Sequence, residues 1–295
     1  GVGKTKVSLV LLVGVNLANI GLNYMFIFGA GPIPAYGVQG AAMGTIAARG
    51  IGSLIGIWIL KSPKFLINIK FKKGLGFDPD LMKKIFRLGG PRSLQGIVRN
   101  FSRLMTIRVI TLLPNAMPSV SAYSVGMQVR MISSFVGLAF MSAAMARVGQ
   151  NMGKKDPEMA QRSGWIAAVM ALVIMTIFAV AFLTIPSRIM AFFTDDVGVI
   201  RLGRIFFITI AVTEPLMAFS FAMGGALRGG GEAMPPFIYS SVSDLVVVIV
   251  AGYILAVPLG MGFAGIALGM AISAVTRAIP TTLRFKKGLW KRIAL

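Results

Sequence analysis

The 295-residue chain is 56% hydrophobic and only 13% charged, carries a formal charge of +21, and has neither histidine nor cysteine. A soluble domain is about 25% charged, so these figures exclude an ordinary soluble domain, and with it disulfides, thiolate nucleophiles and histidine metal sites. The basic residues punctuate apolar stretches rather than forming a patch, which excludes nucleic acid as a partner and fits the positive-inside bias of a membrane protein.

Runs of about 20 mostly apolar residues predict transmembrane helices. Eight follow one another, at 7–28, 38–60, 91–113, 118–147, 164–185, 205–227, 237–257 and 262–283. The fold class is therefore an all-α integral membrane protein with eight transmembrane helices. The third and fourth are the least apolar and are expected to face helices or a cavity. Lys and Arg gather after spans two, four, six and eight, whereas 30–37, 114–117 and 258–261 carry no charge. That alternation makes both ends of this segment cytoplasmic in a multi-pass chain, and the expected location is the plasma membrane. Only 187–204, with three arginines and two aspartates, mixes the signs.

Residues 61–90 are too polar to span. Positions 64–73 alternate apolar and basic residues, and 78–86 reads as a short surface helix with an acidic start. A repeat flanks this segment. Gly37, Gly40 and Gly44 recur as Gly262, Gly265 and Gly269, and Asn16 aligns with Asp244. Glycines four apart form a small-residue face on which helices pack closely. The repeat makes 1–60 the last two helices of an N-terminal six-helix lobe, 61–90 a cytoplasmic linker, and 91–295 a complete C-terminal six-helix lobe with a cytoplasmic tail. The expected parent has twelve spans in two parallel halves, four of them before residue 1.

Glu214, followed by Pro215, lies roughly 14 Å inside span six at the usual rise per residue. A carboxylate at that depth is costly and needs a reason. Either it binds Na⁺ with carbonyls freed by the proline, or it carries a proton, or it pairs with an arginine. Asp244 in span seven is a second coupling ligand or an interhelical hydrogen-bond partner. Both are the candidates for a Na⁺ or H⁺ site, and no other cofactor is expected. On span three, Arg92, Gln95, Arg99 and Arg103 share a face. Either Arg99 or Arg103 pairs with Glu214 or Asp244, or the face lines a cavity for anionic substrates. The substrate-cavity candidates are Asn16, Gln95, Arg99, Asn100, Arg103, Tyr123 and Met127. No HExxH or GxSxG motif is present, so an enzyme is not expected.

Several stretches resemble one family. Val148-Gly149-Gln150-Asn151-Met152-Gly153 is similar to the VGQNxGA motif after the eighth helix of multidrug and toxic compound extrusion (MATE) transporters, and Leu227-Arg228-Gly229-Gly230-Gly231-Glu232 to their LRGxGD turn after the tenth. Asn23–Gly29, Gly37–Ala42 and Ala122–Met131 resemble helices five, six and eight, in the right order. The resemblance implies helices five to twelve of a twelve-helix antiporter, monomeric as a full-length protein, that exports organic compounds through the lipid bilayer against Na⁺ or H⁺. It also implies a structural role for Arg130. A lipid or polysaccharide-precursor flippase of the same superfamily is the nearest alternative; a channel or non-transporting assembly is the alternative of a different class.

Overall fold

The computed structural model describes residues 5–61 and 78–292, and among them the regular structure is helical apart from one bridge between Ala30 and Ile33. Most of the expected 61–90 linker, including the alternating 64–73 stretch, lies outside the described residues. The chain forms two compact units, Gly1–Asp78 and Pro79–Leu295.

The first unit is a hairpin of α1 (Thr5–Phe28) and α2 (Gly37–Lys61). Its helices touch through glycine. A Cβ on Gly40 would sit 2.1 Å from the Phe26 carbonyl oxygen, and one on Gly44 would sit 2.8 Å from the Asn23 nitrogen. No larger residue fits either position. Asn19 Nδ2 donates to Thr45 Oγ1 across the same seam at 3.3 Å.

The second unit begins with α3 (Pro79–Ile110), followed by α4 (Ala116–Gly153) and α5 (Pro157–Thr184). The short α6 (Pro186–Ala191) leads to α7 (Val197–Ala211) and α8 (Glu214–Gly229). Next, α9 (Met234–Val242) runs through a π-helical stretch, Ser243–Ala251, into α10 (Gly252–Ala256). The unit ends with α11 (Phe263–Lys287) and a 3₁₀ turn, Leu289–Arg292. Loop acids start two helices: Asp156 accepts from the Met159 amide, and Asp196 from those of Gly198 and Val199. Each carboxylate satisfies amides that a first turn leaves free.

Two sequence expectations change, and a third, the span count, is met only in part on composition. The surface helix at 78–86 is not separate, because α3 continues through Gly89, Gly90 and Pro91 to Ile110. Span six is not one helix. Pro215 lacks an amide hydrogen, and its ring would clash with the Ala211 carbonyl in a continuous helix. The chain therefore breaks at Val212–Thr213, and α7 and α8 meet at 51°. Finally, six helices among the described residues are long and apolar enough to cross a membrane, or seven if the bent α7–α8 pair is one span. The count of eight included α3, whose Arg92, Arg99, Arg103 and Arg108 make it too polar to qualify on composition.

Two apolar clusters form the core. One gathers Tyr123, Phe206, Phe207 and Phe263; the other gathers Met175, Met223, Leu227, Phe285 and Trp290. Ala211 belongs to the first and Ala218 to the second, so Glu214 sits at the seam. The glycine contacts of the hairpin recur here: Cβ atoms on Gly265 and Gly269 would lie 2.5 Å and 2.6 Å from the Ala256 and Gly252 nitrogens.

Candidate functional site

Three acids of the second unit, in α8, in the α8–α9 turn and in the π-helical stretch, each meet an arginine from another helix. Glu214 opens α8 and is 1% exposed. Its Oε1 accepts from Arg130 Nε of α4 at 2.5 Å, and its Oε2 accepts from Ser133 Oγ at 2.9 Å. Arg130 and Ser133 are three apart, so both project from one face of α4 toward the elbow. Both carboxylate oxygens are thus occupied at the break that Pro215 imposes.

Asp244 is the second residue of the π-helical stretch, and Arg277 Nη2 of α11 donates to its Oδ1. Ser102 Oγ of α3 donates to the Asp244 carbonyl. A π turn displaces side chains from the α-helical register and frequently marks a functional position. Here the Asp244 carboxylate meets α11, and its backbone carbonyl meets α3.

Glu232 lies in the turn after α8. Arg284 grips it with a fork, Nε to Oε2 at 3.0 Å and Nη2 to Oε1 at 2.7 Å. The turn itself needs glycine: Gly231 has φ of 90°, and a Cβ on Gly230 would lie 2.5 Å from the Trp290 ring.

Asp244 and Arg277 border an open cavity of about 100 Å³ lined by α3, α4, α8, α9, the π-helical stretch and α11. Its polar wall holds Arg92, Gln95, Arg99, Arg228 and Ser240; its apolar wall holds Leu138, Met141, Phe221 and Pro236. Arg228 Nη2 donates to Gln95 Oε1 at 2.8 Å, Gln95 Nε2 donates to Ser240 Oγ, and Ser240 Oγ donates to the Phe237 carbonyl. This relay orients the Arg228 guanidinium. Four guanidinium groups face one carboxylate.

The cavity unites three of the sequence candidates, Gln95, Arg99 and Asp244. The others lie elsewhere. Asn100 and Arg103 are exposed and do not line it. Tyr123 is packed edge-on against Phe206 in the first apolar cluster, with Met127 beside that cluster. Asn16 is exposed on α1, and Glu214 is sealed at the elbow. The expected pairing of Arg99 or Arg103 with an acid is corrected. Arg130 and Arg277 take those places because α4 faces the start of α8 and α11 faces the π-helical stretch. Arg277 escaped the sequence reading, although a cation inside the apolar run of α11 signals a buried partner. Among the described residues no group of three acidic, histidine or cysteine side chains is placed to hold a metal.

A family model described as MatE matches residues 91–254, more than half of the chain. The "Probable multidrug resistance protein NorM" of Thermotoga maritima is 27% identical, aligned with 100% of this chain and 63% of its own length. The "Uncharacterized transporter YisQ" of Bacillus subtilis is 23% identical over 98% of this chain and 63% of its own. The chain thus spans about 63% of the length of the curated relatives it matches. Among solved structures, a MOP superfamily transporter from Pyrococcus furiosus, for which a reversed polarity of the binding pocket is described, superposes with a TM-score of 0.87. It is 20% identical, and the match covers 94% of this chain and 61% of that one.

Proposed function

The chain belongs to the MatE family, and on that premise we propose that it forms the C-terminal part of a secondary active antiporter, not an enzyme, that exports organic compounds in exchange for Na⁺ or H⁺. The full protein would work as a monomer in the plasma membrane by alternating access, with both ends of this segment cytoplasmic. In this reading α3 is a span, and the bent α7–α8 pair is another, which makes eight. At 1.5 Å per residue α3 is long enough, and its Arg92 and Arg99 line a polar cavity, the kind of surface that charged residues within a span require. Residues 1–60 supply the last two helices of one lobe, 61–90 the linker and 91–295 the other lobe. The division of the chain into units at Asp78 supports this arrangement.

The observation that carries the coupling role is the position of Asp244. It lies on a cavity wall, in a π-helical stretch, with its charge held by Arg277. A proton or Na⁺ that takes the place of Arg277 releases α11 from that stretch, and this is a differential contact of the kind that shifts a two-state equilibrium. Glu214, with both oxygens committed, holds the elbow instead. The test is efflux from proteoliposomes carrying the full protein under an imposed Na⁺ or pH gradient. Asp244→Asn is expected to abolish gradient-driven efflux; efflux that keeps its normal gradient dependence sinks the assignment. A flippase for anionic lipids is the second reading, favoured by the surplus of arginine at the cavity.

A further inference from the structure

We infer that the cavity between α3, α4, α8, α9 and α11 receives a compact oxyanion, a phosphate, sulfonate or carboxylate, carried by an amphipathic organic molecule. The inference deepens the transport reading and rests on it for the word substrate.

Charge is the first ground. Arg92, Arg99, Arg228 and Arg277 line the cavity against the single carboxylate of Asp244. The acids within the helix bundle are taken by other arginines, in the pairs Arg130–Glu214, Arg277–Asp244 and Arg284–Glu232. Arg92, Arg99 and Arg228 therefore converge without a protein counter-charge. Arg228 is half-buried and Arg92 and Arg99 are exposed at the cavity rim, so the cluster offers an entering anion a field of one sign.

The hydrogen bonds point the same way. Arg228 Nη1 and Arg92 Nη1 both reach the Met141 sulfur, at 3.2 Å and 3.7 Å. A thioether is a weak acceptor, so these donors are poorly matched by the protein. Arg277 is 8% exposed, and its Nε is buried with no hydrogen-bond partner. An oxyanion is the ligand that guanidinium forks bind bidentately.

Size and lining complete the description. About 100 Å³ accommodates a head group rather than a large drug. Leu138, Phe221 and Pro236 continue the wall with apolar surface for the rest of the molecule. A cationic head group would meet four like charges and be rejected.

The test uses the purified full protein and two matched probes, octyl phosphate and octyltrimethylammonium. Octyl phosphate is expected to bind saturably and to raise the thermal unfolding midpoint, and octyltrimethylammonium is not expected to compete. The double substitution Arg99→Gln with Arg228→Gln is expected to weaken octyl phosphate binding at least about tenfold, the loss of a charge-assisted contact. The Arg→Lys pair should recover part of it. Nanodiscs distinguish the source of the anion. If phosphatidic acid displaces octyl phosphate where phosphatidylcholine does not, the site takes a lipid head group. If neither lipid displaces it, the site takes a soluble organic anion. Equal or tighter binding of octyltrimethylammonium overturns the inference, as does unchanged octyl phosphate affinity in the double glutamine variant. The comparison of the two probes on the unsubstituted protein decides the matter even if that variant does not fold. Phosphate binding without gradient-driven transport would remove the transport reading and leave the anion site standing. Gradient-driven export of cationic dyes without phosphate binding would remove the anion site alone.

Discussion

Arg130 Nε lies 2.5 Å from Glu214 Oε1 across the contact between α4 and α8, at the elbow where α7 and α8 meet at 51°. Arg130 is 8% exposed and Glu214 is 1% exposed. Removing one partner of such a pair strands a buried charge, which costs about 3–5 kcal/mol, whereas replacing both with apolar groups of similar volume is often neutral. Glu214→Gln should therefore lower stability by about that amount, and Arg130→Met with Glu214→Leu should restore most of it. Thermal unfolding in detergent measures both. A Glu214→Gln protein as stable as the parent would show that the pair does not brace the elbow.

The Asp244–Arg277 pair predicts a change in ion affinity. If the coupling ion must displace Arg277 from Asp244, Arg277→Gln removes the competitor. The half-saturating Na⁺ or H⁺ concentration for efflux should then fall about tenfold or more, since losing roughly 1.4 kcal/mol of competing interaction is a factor of ten. Efflux titrated against the ion in proteoliposomes reads this. An unchanged or raised half-saturating concentration would leave the pair as an interhelical tie.

Hydropathy was enough to locate α1, α2, α4, α5 and α11, because a long apolar run in a bilayer can satisfy its backbone only as a helix. The close glycine faces were also readable: Gly40 and Gly44, like Gly265 and Gly269, meet backbone where the spacing placed them. The boundary between linker and span at 90–91 misled, because α3 runs through Gly89, Gly90 and Pro91 without a break. Pro215 announced a flaw in span six but not its angle. The partners of Glu214 and Asp244 lie 84 and 33 residues away. The choice among many arginines is made by how each helix is rotated, which no local pattern records. Nor does Ser243–Ala251 betray its π turn: a run of valines and isoleucine reads the same in either helix.

Gly225 and Gly224 are neighbours with opposite tolerance. A Cβ on Gly225 would lie 2.2 Å from the Met141 carbonyl oxygen of α4, whereas one on Gly224 would meet only Pro236 Cβ at 3.7 Å. The first clash is with backbone and cannot be relieved by a rotamer change. Gly225→Ala should cost about 1–3 kcal/mol by forcing α4 and α8 apart. Gly224→Ala should be neutral or stabilising by up to about 1 kcal/mol, the helix propensity gained. Parallel melting curves of the two variants check the contrast, and equal losses would refute the close α4–α8 contact.

The tail after α11 is part of the fold. Trp290 is fully buried, its Nε1 donates to the Phe285 carbonyl at 3.0 Å, and its ring stacks on Phe285 with centroids 5.0 Å apart. The same ring covers Gly230 in the turn that carries Glu232. Trp290→Ala removes this packing and should cost about 3–5 kcal/mol, as for other buried aromatic truncations. Because the ring also roofs the turn, the loss should loosen the Arg284–Glu232 fork and expose the α8–α9 connection. Hydrogen exchange followed by mass spectrometry should then show faster exchange over 228–233 than in the parent, with α4 and α5 little changed. Uniform protection in that turn after Trp290→Ala would mean that the fork, not the tryptophan, holds it.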